Sequence, residues 1–331
     1  MKTETRQFLL HGAIFAAALV ALDAAIGTIG DFATRKLPDF ADFSAPLIKD
    51  NFRLNRTTAD VVIVGSSRAA HHFATAQLKD SLDRYAGTDL AVYNAGIDGR
   101  FVNSNACAVE SILERHSPKL LLFEADESAF SDGRSRLDVE NSAPHYRTNR
   151  VVKRYLDELG WRARLKMQSN LYRWNQKVFV LATVLRNSGE KDRLNGYIPL
   201  RERMSLAAAS RELLSAKERT NLPPAADAWT ISNLSRMLDA ARNKGVPTVV
   251  VTTPRYRAQQ HRKTLDALCL AANVPHIDMF GMELFDEHPE WFADVAHLND
   301  DGAQAFTALF FERLRPILDS IFHTRTPRST L

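Results

Sequence analysis

VIVGSSRAAHH, residues 62–72, is the stretch on which the fold turns. An apolar run ends abruptly at Gly65, Ser66, Ser67 and Arg68, and a helical pattern starts within a few residues. A strand covered on both faces reads as such a continuous apolar run. A serine at the junction that follows is either a helix cap or a nucleophile raised on a turn, and at an arbitrary junction of this kind the cap is the commoner reading.

The same alternation recurs outward from this point. DVVIVG (60–65) precedes a helical stretch over 69–84, LAVYN (90–94) precedes one over 102–115, and KLLLFEA (119–125) follows. Further on come a helix over 228–244, strand PTVVVTT (247–253), a helix over 257–272, strand VPHIDM (274–279) and a closing helix over 301–322. Short buried strands separated by helices predict an α/β fold, a flavodoxin-like three-layer sandwich around a parallel sheet of about five strands.

Between 126 and 226 the alternation stops, and VVKRYLDELGWRARLKMQSNLYRWNQKVFVLATVLR and RMSLAAASRELLSAKERT read as helices with no strand between them, an inserted helical lid. Its Trp161, Tyr172, Arg173 and Trp174 could stack on sugar rings, although aromatics at helical spacing are more often core. The expected organisation is therefore an anchor at 1–30, a tether with one short helix at 31–58, an α/β domain at 59–125 and 227–322, the insertion at 126–226, and a tail at 323–331.

The anchor is read from FLLHGAIFAAALVALDAAIGTIG, residues 8–30, long enough to cross a hydrocarbon core although His11 and Asp23 interrupt it. A signal anchor, a cleaved signal peptide and an amphipathic soluble helix compete for it; the lack of a clean A-x-A site favours the anchor. Lys2 and Arg6 ahead of the span place the remainder on the periplasmic or exterior side.

With 45% hydrophobic residues the 331-residue chain can bury a full core. A net charge of +4, with basic and acidic residues intermixed, offers no dense basic stripe, which argues against nucleic acid. Cys107 and Cys269 lie far apart with no CxxC or Cys/His spacing, which argues against zinc; a disulfide and two free thiols both remain open.

In an open α/β sheet, function collects at the carboxyl ends of the strands. Four segments land there: GSSRA (65–69), YNAGIDGR (93–100), EADES (124–128), which a solvated loop would equally explain, and DVAHLNDDG (294–302) just before the last helix. Asp294 stands three residues before His297, a spacing at which a carboxylate can hold an imidazole in one tautomer while Nε2 faces a nucleophile. Together the four stations resemble the SGNH, or GDSL-like, hydrolase superfamily, in the same order, over about residues 59–320 without the insertion. The resemblance implies Ser67 as nucleophile, His297 as general base, Asp294 as its orienting partner and Gly99 as a backbone oxyanion donor, with no cofactor. The G-x-S-x-G elbow of α/β-hydrolases is nearly met by Gly65-x-Ser67-x-Ala69, but that elbow follows several earlier strands and Ser67 follows the first.

Two departures from the family pattern stand out. G-D-S-L reads Gly65-Ser66-Ser67-Arg68, which looks like the membrane-anchored polysaccharide O-acetylation and D-alanyl-transfer members. G-x-N-D reads Glu124-Ala125-Asp126-Glu127, so Asp126 occupies the place of an oxyanion-donating asparagine. Either Asp126 is protonated, or the Ser67 and Gly99 amides act with Asn94 or Asn103, while Arg68 or Arg100 offsets the acidity. Arg255, after the fourth strand, is a candidate for binding an anionic group, and His71 and His72 are expected to be structural or peripheral. The resemblance thus implies an extracytoplasmic serine acyl-transfer enzyme or carbohydrate esterase on a cell-surface polysaccharide, with a multi-pass membrane acyltransferase as donor partner. The alternative is a catalytically weak scaffold or glycan-binding subunit of the same fold.

Overall fold

The run VVIV that opens the fold is β1 (Val61–Val64), and four more short strands join it: β2 (Val92–Asn94), β3 (Leu120–Glu124), β4 (Thr248–Thr252) and β5 (His276–Asp278). All pair in parallel in the order β2-β1-β3-β4-β5, the flavodoxin-like order whose switch point lies between β1 and β3. Register brings Val61 level with both Val92 and Leu120. The computed structural model describes residues 3–36, 46–130, 138–175, 177, 194–207, 209–210, 227–258 and 263–323. The chain divides into two compact units, Met1–Asp39 with Glu140–Glu190, and Phe40–Val139 with Lys191–Leu331.

Along the chain the described α-helices are α1 (Thr3–Lys36), α2 (Pro46–Asn55), α3 (Ser67–His72), α4 (Thr75–Ala86), α5 (Val102–Arg115), α6 (Arg150–Glu158), α7 (Trp161–Lys166), α8 (Asn170–Arg173), α9 (Ala228–Asn243), α10 (Thr264–Ala272), α11 (Glu283–Asp286) and α12 (Asp300–Leu318). The second unit is the α/β sandwich. One sheet face, carrying Ile63, Leu122 and Val251, packs on Leu78 and Leu82 of α4 and on Phe306, Phe310 and Leu314 of α12. On the other face α5 packs on α9 and α2, and α9 on α10. Every side chain of β1 is fully buried, which is why these strands carry no alternation of polar and apolar residues.

Three boundaries differ from the sequence expectation. The helix expected over 69–84 breaks into α3 and α4 at Phe73 and Ala74. Phe73 turns into the core, and the Ala74 N–H leaves the helix to donate to Thr307 Oγ1 at 2.9 Å.

The one short helix expected in the tether is α2, but its Leu47, Ile48, Arg53 and Leu54 are buried within the sandwich, so this part of 31–58 belongs to the domain. Residues 194–205, placed in the helical insertion, form a turn and an irregular segment bonded to the sandwich: Asn94 N–H donates to Asn195 O and Ile198 N–H to Ala70 O, each at 2.9 Å. Residues 178–193 and 211–226 of the expected insertion lie outside the described residues.

In the other unit, α1 contains a 29-residue stretch from Glu4 to Phe32 whose 18-residue window reaches a mean hydropathy of 2.0, long and apolar enough to cross a membrane. From Asp23 onward one face of α1 packs on α8. The Asp23 carboxylate accepts from Ser169 Oγ (2.8 Å), Asn170 Nδ2 (2.9 Å) and Leu171 N–H (2.9 Å). The helical reading of 150–175 resolves into α6, α7 and α8, interrupted at Gly160 and Ser169. Of its expected sugar-stacking residues, Arg173 and Trp174 are buried core and the Tyr172 hydroxyl donates to Glu140 at 2.5 Å; only Trp161 is open to a ligand, at 68% exposure.

Candidate active site

The question posed by GSSR has a divided answer. Ser66 is the N-cap of α3: its Oγ accepts from Arg68 N–H at 3.2 Å and donates to Glu124 Oε2 at 2.8 Å. Ser67, the next residue, is free of both duties. Its Oγ lies 2.8 Å from His297 Nε2, although 230 residues separate the two in sequence.

His297 stands on the loop between β5 and α12, where an Asx-type turn fixes it. Asp294 Oδ1 accepts the N–H groups of Ala296 (2.7 Å) and His297 (2.9 Å), and the same carboxylate meets His297 Nδ1 at 2.9–3.0 Å. Burial pushes the Asp294 carboxyl up, and the hydrogen bond and charge of His297 together with the two backbone donors bring it below its ordinary value. An ionised carboxylate on Nδ1 keeps the proton there and leaves the Nε2 lone pair towards Ser67 Oγ.

His71 and His72 sit beside this pair. His72 is fully buried, and its Nε2 accepts the Leu298 N–H at 3.0 Å, tying α3 to the residue after His297. Burial holds its pKa well below the ordinary value, so the ring is neutral. His71 packs edge-on against His297 with ring centroids 5.5 Å apart and pairs with Asp98 at 3.0 Å. Burial pushes the His71 pKa down, and the hydrogen bonds to Asp98 and Ile198 O carry it above the ordinary value.

The EADES segment is not a solvated loop. Glu124 is buried and accepts the Ser66 N–H (2.9 Å) as well as its hydroxyl, while its second oxygen pairs with Arg68 at 3.0 Å. Gly65 permits this approach, because a Cβ there would lie 2.6 Å from Glu124 Cβ.

Arg68 also pairs with Asp126, whose other oxygen accepts Ser128 N–H (3.0 Å) and Oγ (2.5 Å). Burial would raise the Asp126 pKa, but Arg68, and behind it Arg255 at 3.9 Å, hold it well below the usual carboxylate range. Asp126 is therefore ionised and cannot donate to an oxyanion.

Two other expected donors are also excluded. Asn94 Nδ2 donates to Ala69 O at 2.7 Å and its oxygen accepts Gly96 N–H. Asn103 Nδ2 donates to Thr230 Oγ1 at 2.9 Å and its oxygen accepts from Asn233. Nor does Arg100 offset the acidity, since it is paired with Asp50.

What remains is Ser67 N–H, at the first position of α3 where no intrahelical acceptor exists, and Gly99 N–H, on a turn with φ +69°. To these the structure adds Asn105, which the sequence reading missed. Buried Arg53 donates to Asn105 Oδ1 at 2.9 Å. A guanidinium has no acceptor, so it fixes which end of the amide is oxygen. Asn105 and Asn103 are about 200° apart around α5, which sends one towards the sheet's carboxyl edge and the other towards α9. A signal was present in the first turn of the helix, but choosing between the two needed the helix phase.

Ser67, Gly99, Asn105, Arg255 and His297 line one cavity of about 260 Å³ at the switch point. Among the described residues no cluster of three or more His, Cys, Asp or Glu could hold a metal ion. Cys107 and Cys269 are both free and buried.

No family model matches the chain and no curated protein matches it. Among solved structures, a gut microbial diltiazem-metabolizing enzyme is similar at a TM-score of 0.32 and 12% identity, over 77% of this chain and 46% of its own. The chain thus spans less than half the length of that protein.

Proposed function

We propose that the protein is a membrane-anchored serine acyl-transfer enzyme of the SGNH (GDSL-like) type, with Ser67 as nucleophile, His297 as general base and Asp294 as its orienting partner. One observation carries the reading: the 2.8 Å contact of Ser67 Oγ with His297 Nε2, with Asp294 held on Nδ1.

In this reading Ser67 Oγ attacks the acyl carbonyl carbon as its proton passes to His297 Nε2, and Asp294 stabilises the imidazolium that forms. The tetrahedral oxyanion receives hydrogen bonds from Ser67 N–H, Gly99 N–H and Asn105 Nδ2, the last in place of the asparagine that the family pattern puts at 126. Collapse returns the proton from His297 to the departing alcohol and leaves acyl-Ser67. A second hydroxyl, deprotonated by the same Nε2, attacks the ester and carries the acyl group away. When that hydroxyl belongs to water the outcome is an esterase, and when it belongs to a glycan it is a transferase.

The cavity is below the roughly 300–1,000 Å³ of drug-sized sites, which favours a short acyl group over a long chain. α1 supports attachment to a membrane, and the charges ahead of it favour an extracytoplasmic site. A cell-surface polysaccharide as acceptor and a multi-pass membrane acyltransferase as donor follow from the family resemblance.

A fluorophosphonate probe tests the reading. Covalent labelling of the wild type, lost in Ser67→Ala and strongly reduced in His297→Ala, is the expected result. The ionised Asp126 is the observation favouring the second reading, a non-catalytic scaffold or glycan-binding subunit. Absence of labelling between about pH 5 and 9 in protein with an intact melting transition selects it and overturns the first.

A further inference from the structure

We propose that α7 lies in the headgroup layer of the membrane crossed by α1 and binds anionic phospholipid there, with Trp161 and Leu165 entering the acyl boundary and Arg162, Arg164 and Lys166 meeting lipid phosphates. This inference rests on reading α1 as a membrane span.

The first support is the way α7 distributes its side chains. Ala163 and, just past the helix, Met167 fill its inward side at 5% and 0% exposure. Trp161 and Leu165, also one turn apart and hence on one face, are 68% and 66% exposed. The inward side is thus already packed, and two large apolar groups are left facing out. Arg162, Arg164 and Lys166 are exposed around them, and the Arg162 guanidinium lies over the Trp161 ring at 5.4 Å. Tryptophan with basic neighbours that reach outward is the composition of a membrane-interface anchor.

Charge points to the sign of the lipid. From Glu140 to Asn175 the chain carries eight Lys or Arg against three Asp or Glu.

Position supplies the third support. In α1 the residues from Glu4 to Leu22 are exposed, and packing on the unit begins at Asp23. Counted from Phe8, after the leading charges, the 15 residues to Leu22 rise by about 22 Å, most of a hydrocarbon core of about 30 Å. A carboxylate with three hydrogen-bond donors marks where the helix leaves that core, and the donors are Ser169, Asn170 and Leu171. α7 ends at Lys166, three residues before Ser169. It is about 9 Å long and is joined to those donors by a turn in which Ser169 N–H donates to Lys166 O, so α7 lies within about 15 Å of the Asp23 partners.

The test uses the full chain in nanodiscs, with brominated acyl chains as quenchers of tryptophan fluorescence. The wild type is expected to be quenched, Trp161→Phe to lose most of that quenching, and phosphatidylglycerol to raise it about twofold over phosphatidylcholine alone. The triple variant Arg162→Glu, Arg164→Glu, Lys166→Glu is expected to lose the phosphatidylglycerol increment at an unchanged Tm. Equal quenching in wild type and Trp161→Phe, or no response to phosphatidylglycerol, overturns the proposal in favour of a protein partner on this face. Alkaline carbonate extraction separates the two layers of the argument: release of the chain overturns the span itself, whereas retention with unquenched Trp161 overturns the α7 contact alone.

Discussion

Asp126→Asn is the most informative single substitution, because it places at position 126 the residue the family pattern would have. In this chain Asp126 closes a buried relay, Glu124–Arg68–Asp126, whose side chains are 1%, 12% and 2% exposed. The substitution keeps the size of the side chain and removes its charge. Breaking a buried ion pair outright costs about 3–5 kcal/mol. Here Glu124 stays on Arg68, and Arg255, 31% exposed, can turn to solvent. The loss is then close to that of one charge-assisted hydrogen bond, about 2–3 kcal/mol.

For a domain of this size that corresponds to a Tm lower by roughly 4–12 °C, readable by thermal melting in detergent. The direction with pH follows from the depressed folded-state pKa of Asp126. Its stabilisation is complete above the unfolded-state value of about 3.9 and is lost as pH falls towards the folded-state value. The Tm gap between wild type and Asp126→Asn is therefore constant from neutral pH to about pH 5 and narrows below about pH 4. If Asp126 were instead a protonated oxyanion donor, asparagine would replace it without loss. An unchanged Tm with an unchanged or faster fluorophosphonate reaction refutes the reasoning.

Three further outcomes are expected. Asn105→Asp keeps an acceptor for Arg53 and removes the amide donor, so labelling should slow by about 10²-fold or more with no loss of Tm; a wild-type rate would remove Asn105 from the oxyanion site. Asp294→Asn frees the His297 tautomer and should slow labelling by roughly 10²–10⁴-fold, checked by the same kinetics against a Tm control. Burial pushes the Cys269 thiol up to about 12, and Cys107 is equally enclosed. Ellman's reagent should therefore find neither thiol in native protein and both after denaturation; one sulfhydryl or none in the denatured chain would contradict two free cysteines.

The sheet was legible because a doubly covered strand has no polar positions to confuse it: VVIV, LLLFE and TVVVT announce themselves without context. The junction GSSR and the pair Asp294 and His297 were legible for a related reason, since each is a local device, a cap and an Asx turn, at a strand end. Residues whose meaning depends on the partner across the fold were not. Arg53 in what looked like a tether, Asn105 one-half turn from Asn103, and Glu124 in what looked like a solvated acidic loop acquire roles only when α2 meets α5 and the end of β3 meets the turn after β1. The irregular segment 194–205 escaped for the opposite reason, because its backbone bonds to Asn94 and Ala70 leave no mark in its own side chains.

The two departures from the family pattern are better understood as one. Position 68 carries arginine where the pattern has leucine, and position 126 carries aspartate where it has asparagine; in the structure these two side chains are bonded to each other. Arg68 and Ser66 are two apart on the turn after β1, Glu124 and Asp126 are two apart at the end of β3, and the four clamp one strand end to its neighbour across the switch point. The residue between the clamped pair is Ser67. Because its neighbours take the bonds to the acids, its hydroxyl is left for His297, and because β1 and β3 are adjacent strands the clamp cannot shift without moving the sheet. A turn fixed in this way holds the Ser67 N–H and Oγ against one cavity. In the proposed reading, the acid at 126 belongs to what positions Ser67, and the side-chain donor to the oxyanion comes from another helix, where Asn105 lines the same cavity.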